Sequence, residues 1–83
     1  MSNQSKPNIK KRFGFAIKQR RQELGLSQEE LSFRSGLHRT YISDIERGFR
    51  NLSLENIDKL AQALEIKVST LFSRYGIEIE ENG

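Results

Sequence analysis

Residues 26–48 read LSQEELSFRSGLHRTYISDIERG, and this stretch decides the fold of the chain. Ser27 followed by Glu30 three positions later forms a capping box, which predicts a helix that begins directly after Ser27. Gly36 predicts the end of this helix, because glycine readily adopts the left-handed backbone that closes helices. The stretch therefore opens with a short helix and a glycine turn.

A second helix is predicted from about His38 to Arg47, and Gly48 ends it. Ile42 and Ile45 stand at helical spacing and face inward, which leaves a polar face near the beginning of the helix. Side chains of this kind at a helix N-terminus can read base edges in the major groove of DNA. The outward set is His38, Arg39, Thr40, Ser43 and Asp44.

These residues, GLHRTYISDIERG at 36–48 followed by RNLSL at 50–54, resemble the helix-turn-helix of lambdoid phage repressors, Cro proteins and xenobiotic-response-element-type regulators. Within that superfamily they look most like the controller proteins of restriction–modification systems. The resemblance extends over about residues 9 to 72. It implies an all-α, five-helix, lambda-repressor-like domain that acts as a homodimer on a near-palindromic operator.

The composition indicates one small domain with an uneven charge distribution. The chain has 83 residues and no cysteine, which excludes a disulfide framework and a thiolate metal site. Residues 1–22 carry seven cations and no acid, whereas residues 51–83 carry three cations and six acids. A basic front and an acidic rear are typical of a DNA-binding protein, although a solvated charge run is the alternative.

The sequence divides into an N-terminal arm at residues 1–8, a helix-turn-helix and dimerisation domain at 9–73, and a tail at 74–83. The arm is polar and is expected to be disordered. In the tail, residues 77–80 alternate isoleucine and glutamate, which is typical of a strand. We expect this segment to be disordered, with pairing to the dimer mate as the alternative.

Three further helices complete the predicted domain. The first is expected from about Ile9 to Leu24, the fourth after a Ser53 cap, and a short fifth helix after a Ser69 cap. An apolar stripe predicts the buried face of the fourth helix. Its members are Leu54, Ile57, Leu60, Ala61 and Leu64.

Arg39, Thr40 and Arg50 are the candidates for base contacts. A guanidinium can grip O6 and N7 of guanine with two hydrogen bonds, and threonine can meet a base edge or a thymine methyl group. The resemblance places the main base contacts of the repressors at Arg39 and Thr40, and in controller-like proteins a loop arginine at Arg50 reaches bases or phosphate. The alternatives are a phosphate contact for Arg39 and a second helix cap for Thr40.

A larger set is expected to contact the DNA backbone, which contributes affinity rather than sequence information. The resemblance implies that Gln28 clamps a phosphate and braces Arg39, with an exposed glutamine as the alternative. His38 is expected to cap its helix or to contact phosphate. The phosphate candidates are Lys18, Gln28, His38, Tyr41, Ser43, Arg47 and Asn51.

Two acids have other expected roles. Asp44 on the reading face repels phosphate, so we expect it to pair with Arg39 or Arg47; accepting a hydrogen bond from a cytosine amino group is the alternative. The resemblance implies a buried ion pair between Arg21 and Glu46, while the alternative places Arg21 on the basic face.

Two departures from the family pattern concern packing. Ser32 replaces the usual alanine, and its hydroxyl is expected to bond within its own helix. Arg20 stands where many relatives have leucine, which thins the core or opens the first helix. Dimerisation is expected at a surface beyond the four-helix core. Its predicted members are Ile66, Val68, Leu71 and Phe72.

The sequence thus predicts a cytoplasmic, sequence-specific, DNA-binding transcriptional regulator. Its predicted partners are double-stranded DNA, a second copy of the chain and, as a further candidate, RNA polymerase; no membrane, small-molecule ligand, cofactor or metal is expected. The alternative functions are an antitoxin or phage-type repressor with a protein partner, and an interaction module without DNA binding. An enzyme is not expected, because the sequence contains no catalytic constellation.

Overall fold

The computed structural model describes residues 8–76, which form five α-helices and no strand. The helices are α1 (Ile9–Glu23), α2 (Gln28–Ser35), α3 (Arg39–Glu46), α4 (Leu54–Ala63) and α5 (Val68–Arg74). The predicted all-α, five-helix class is confirmed. The predicted arm before Asn8 and the alternating segment at 77–80 lie outside the described residues.

The capping box that was predicted for α2 is present. The Glu30 backbone N–H donates to the Ser27 hydroxyl at 3.0 Å, and the Ser27 N–H donates to the Glu30 carboxylate at 2.8 Å. The hydrogen bond from the Ser27 backbone N–H lowers the pKa of the Glu30 carboxyl below its usual value. Two backbone N–H groups at the beginning of α2 that have no acceptor within the helix are thereby bound by the side chains of Ser27 and Glu30.

Helix α1 spans nearly the predicted residues, but its N-cap and the beginning of α5 differ from the predictions. Asn8, which was assigned to the arm, is the N-cap of α1 and accepts a hydrogen bond from the Lys11 N–H at 3.0 Å. Ser69 does not cap α5, because the helix already begins at Val68 after an N-cap at Lys67. Lys67 offers no side-chain acceptor, and the backbone alone sets this beginning, so the serine signal was misleading.

The turn between α2 and α3 is built around glycine and serine. Gly36 has φ 76°, the left-handed conformation expected at the end of a helix. The Ser32 hydroxyl donates to the Leu37 carbonyl, and not within its own helix as expected. The Ser35 hydroxyl accepts from the Leu37 N–H at 3.2 Å. Both serines therefore fix the turn that sets the direction of α3.

All five helices contribute to one core, whose largest fully buried side chains are Ile17, Leu31, Ile42, Ile45, Leu60, Leu64 and Leu71. Leu54 is 84% exposed, so its predicted place in the core stripe is wrong; it opens α4 on the solvent side. At Gly14, an added Cβ would collide with the carbonyl oxygens of Ile45 and Glu46. Helix α1 thus touches the end of α3 backbone to backbone, and this contact positions α3. Among residues 8–76, no helix is long and apolar enough to cross a membrane.

Candidate DNA-binding surface

The N-terminal end of α3 projects from the core into solvent. His38 occupies the N-cap position with extended backbone, but its side chain makes no capping hydrogen bond. Arg39 and Thr40 form the first turn and are exposed. Within residues 8–76, no hydrogen bond or ion pair holds the side chain of Arg39 or Thr40. Thr40 lies inside the helix, so its alternative interpretation as the cap is wrong.

The C-terminal end of α3 is, by contrast, fixed by a buried cluster of charges. The Arg21 guanidinium donates two hydrogen bonds to the Glu46 carboxylate, Nε to Oε2 at 2.7 Å and Nη2 to Oε1 at 2.9 Å. The side chains are only 11% and 4% exposed. Arg21 also donates to the Leu26 carbonyl at 2.8 Å. Arg21, which lies on α1, thus connects this helix both to α3 and to the loop that precedes α2.

Gln28 belongs to the same cluster. Its Nε2 donates to Glu46 Oε1 at 3.0 Å, and its side chain is half-buried. It does not brace Arg39, as the resemblance had implied, and it is not a merely exposed glutamine. The carboxylate of Glu46, which can only accept, draws the amide towards the end of α3.

Asp44 is the centre of a second, more exposed cluster. Its carboxylate accepts from Arg47 at 3.0 Å and from Arg50 at 3.3 Å. The hydrogen bond from Arg47, with a further one from Arg50, lowers the pKa of the Asp44 carboxyl below its usual value. Of the two predicted partners, Arg47 is present and Arg39 is not.

Each arginine of the Asp44 cluster also lies over an aromatic ring. The Arg50 guanidinium is 5.1 Å from the centre of the Tyr41 ring, and Arg47 is 4.8 Å from that of Phe49. The Tyr41 hydroxyl accepts from Asn56 Nδ2 at 3.2 Å. Arg50, a predicted base contact, thus lies along α3 and contacts both Tyr41 and Asp44.

The remaining phosphate candidates surround α3. Lys18 is exposed on α1, Ser43 is half-buried on α3, and Asn51 is exposed in the loop that follows. Lys18 lines an open groove of about 400 Å³ with Lys11, Arg12 and Arg47. This groove brings three cations of α1 and Arg47, the C-cap of α3, to one surface.

Arg20 has a role that the sequence did not reveal. Its Nε donates to the Leu64 carbonyl at 2.9 Å and its Nη2 to the Glu65 carbonyl at 3.1 Å. These carbonyls lie where α4 ends, so Arg20 satisfies orphan acceptors there. These two hydrogen bonds connect α1 to the end of α4. An arginine at an otherwise apolar position was the available signal.

The predicted dimer surface is only partly exposed. Leu71 is fully buried within the single chain, so it does not lie beyond the core, and its assignment to the dimer surface is wrong. Phe72 is half-buried and packs against Phe13 with ring centres 5.8 Å apart. Val68 is 38% exposed and Ile66 half-buried. The dimer prediction therefore rests on Ile66, Val68 and Phe72.

Within residues 8–76, no group of three metal-binding side chains comes together.

Comparison with known proteins gives the family. A family model described as helix-turn-helix matches residues 17–71. Control protein C.BamHI of Bacillus amyloliquefaciens is 51% identical over 65 residues, which cover 77% of this chain and 80% of that protein. The chain belongs to the helix-turn-helix family of restriction–modification controller proteins.

Further relatives of the chain belong to the same family. Control protein C.MunI of a Mycoplasma species is 46% identical over 67 residues, covering 80% of this chain and 90% of that one. The crystal structure of the controller protein C.AhdI from Aeromonas hydrophila has a TM-score of 0.73 and 52% identity, covering 75% of this chain and 94% of that one. A structure of the C.Esp1396I tetramer with its natural 35-base-pair operator has a TM-score of 0.77 and 36% identity, covering 84% and 92%.

Proposed function

We propose that this chain is a sequence-specific, DNA-binding regulator of transcription that acts as a homodimer and controls the genes of a restriction–modification system, its own gene among them. The observation that carries the proposal is the exposed first turn of α3. Arg39 and Thr40 are presented by a helix whose other end is fixed by Glu46. An arginine at this place can reach base edges when α3 enters a major groove.

The surroundings of α3 fit a phosphate-binding role. Lys18 and Arg47 line one groove beside the helix, and Asn51 is exposed in the following loop. Lys18 and Arg47 can neutralise backbone phosphates beside the groove that α3 enters, and the Asn51 amide can form a hydrogen bond with a phosphate. We assign affinity to these residues and base recognition to Arg39 and Thr40.

A relative supports the form of the complex that we propose. C.Esp1396I is a tetramer on its natural operator. We infer that this chain likewise binds its operator as an oligomer, built from dimers that form through Ile66, Val68 and Phe72 and contact half-sites about one helical turn apart. The chain would act in the cytoplasm, and activation would occur through contact with RNA polymerase.

The test is binding to the DNA directly upstream of the chain's own gene. We expect a footprint on a near-palindromic site there and much weaker binding to a shuffled duplex of equal length. Lys59→Ala provides the matched control, because Lys59 is an exposed cation of α4 on a surface that Arg34 and Ser35 also line. It should leave the protein concentration that gives the footprint unchanged, whereas Arg39→Ala should raise that concentration by about ten- to a hundredfold.

Equal binding to the upstream DNA and to the shuffled duplex would contradict sequence-specific regulation of its own promoter. A footprint that persists in Arg39→Ala but disappears in Lys59→Ala would contradict the assignment of α3 as the reading helix.

A further inference from the structure

Asn56 connects α4 to α3 at the hydroxyl of Tyr41, one of the predicted phosphate contacts. Its Nδ2 donates to the Tyr41 hydroxyl at 3.2 Å, and both side chains are half-buried. The Asn56 backbone is itself fixed, because its N–H donates to the hydroxyl of the Ser53 cap at 3.1 Å. The amide therefore meets Tyr41 from a defined position at the beginning of α4.

This contact determines which way the Tyr41 hydroxyl proton points. A phenol oxygen can both accept and donate, whereas the nitrogen of a side-chain amide only donates. Asn56 therefore takes an acceptor position of the oxygen and leaves the O–H directed away from the amide. Within residues 8–76, no group accepts a hydrogen bond from this O–H. Tyr41 thus offers a donor to an acceptor from outside the domain.

The charge around Tyr41 favours an anion as that acceptor. The exposed guanidinium of Arg50 lies 5.1 Å from the centre of the Tyr41 ring. Asp44 neutralises this guanidinium only in part, because the same carboxylate also accepts from Arg47. Two cations therefore share one acid, and the excess positive charge beside the phenol attracts an anion such as a DNA phosphate.

We propose that Asn56 is a positioning residue for DNA binding and that it acts through Tyr41. By donating to the phenol oxygen, the amide directs the Tyr41 O–H towards a DNA phosphate that Arg50 attracts. Asn56 itself does not contact the DNA. The phosphate contact rests on the proposed function, because α3 must lie in a major groove, whereas the hydrogen bond between Asn56 and Tyr41 does not require DNA.

The hydrogen bond between Asn56 and Tyr41 is tested first, without DNA. In protein enriched in ¹⁵N, Tyr41→Phe should shift the side-chain amide signals of Asn56, because the substitution removes their acceptor. Gln62 is the internal control, since its side-chain amide donates to Asp58 on the same helix and its signals should not move. Asn56 signals that also stay in place would overturn the proposal.

The direction of the hydroxyl is tested by Asn56→Asp. A carboxylate only accepts, so the Tyr41 O–H should turn towards it and away from phosphate. Asn56 lies in the first turn of α4, where an acid is favourable to the helix dipole, so this variant should fold. Its apparent affinity is measured on a fluorescent duplex of random sequence at one salt concentration.

The same substitution in the Tyr41→Phe background separates positioning from charge. In that background only the repulsion between the added carboxylate and DNA remains. We therefore expect Asn56→Asp to reduce the apparent affinity by a factor about ten times larger when Tyr41 is present, which corresponds to one lost hydrogen bond to a charged group. The matched control is Gln62→Glu, which adds an acid on the exposed side of α4 and should have the same small effect in both backgrounds.

Equal factors for Asn56→Asp in the two backgrounds would mean that Asn56 acts through charge or stability alone, and this result would overturn the proposal without affecting the proposed function. If the unaltered chain binds neither its upstream DNA nor the random duplex, the proposed function fails and the positioning role of Asn56 fails with it.

Discussion

The two ends of α3 are built in opposite ways. At its C-terminal end, Glu46 accepts hydrogen bonds from Arg21 and Gln28 in a buried cluster. At its N-terminal end, Arg39 is exposed, and no ion pair within residues 8–76 engages it. The comparison fits the proposed role of α3: one end is fixed to the domain, and the other end, which we propose contacts base edges, is free to project.

The largest effect is expected from breaking the fixed end. Arg21→Ala leaves the Glu46 carboxylate buried with one uncharged donor, which should reduce the free energy of unfolding by ~3–5 kcal/mol. Thermal melts without DNA provide the measurement. Arg34→Ala is the matched control, because its pair with Glu65 is exposed and should contribute no more than ~1 kcal/mol. Unchanged stability with altered DNA affinity would make Arg21 a phosphate contact instead.

The next largest effect is expected from separating the backbones of α1 and α3, which touch at the fixed end. Gly14→Ala places a methyl group against the carbonyl oxygens of Ile45 and Glu46, so α1 and α3 must separate. We expect a loss of ~3 kcal/mol, near the top of the usual range for overpacking. Denaturant unfolding measures it, with Gln22→Ala on the exposed side of α1 as the control. A Gly14→Ala protein as stable as its parent would mean that the two helices are not held in contact.

Gln28 distinguishes a structural from a DNA-binding role at the fixed end. Gln28→Ala removes a hydrogen bond to a charged group, a change that typically costs ~1.5–3 kcal/mol. The loss should be visible in urea unfolding in the absence of DNA. If stability is unchanged and only DNA affinity falls, the amide is free to clamp phosphate and its contact with Glu46 contributes nothing.

The smallest effect on stability is expected at the exposed Asp44 cluster, which also lies near the C-terminal end of α3. Because its folded pKa is lowered, the stabilisation by the Asp44 carboxylate is present above its unfolded pKa and is lost as pH falls through the folded value. Asp44→Asn should therefore lower the melting temperature slightly at neutral pH and not at strongly acidic pH. It should also strengthen binding to random DNA, since Arg47 and Arg50 are released. Weaker binding to random DNA would show that the carboxylate positions these arginines for phosphate.

Local signals in the sequence predicted the helix boundaries well. The capping box of Ser27 and Glu30, the Gly36 turn and the Ser53 cap all lie within a few residues of what they control. The predicted cap was wrong at α5, because this helix begins after Lys67, whose side chain forms no capping hydrogen bond. Sequence patterns therefore gave the number and order of helices, and most of their ends.

Contacts between distant residues were harder to predict. The Ser32 hydroxyl donates to the Leu37 carbonyl across the turn, and Arg20 donates to the Leu64 carbonyl, 44 positions away at the end of α4. Leu71 looked like a surface residue because the predicted core stopped at four helices, but α5 completes that core. Periodicity reports which residues are apolar, and not which neighbouring helix covers them.

The assignment of reading and positioning to opposite ends of α3 is tested most directly by one ratio, that of specific to non-specific DNA affinity at a single salt concentration. Arg39→Ala should lower this ratio, with a loss of ~1–3 kcal/mol on the cognate site and much less on random DNA. Lys18→Ala should weaken both similarly and leave the ratio unchanged, because phosphate contacts carry no sequence information. If Arg39→Ala leaves the ratio unchanged, the free end of α3 does not read bases through Arg39, and the account is contradicted.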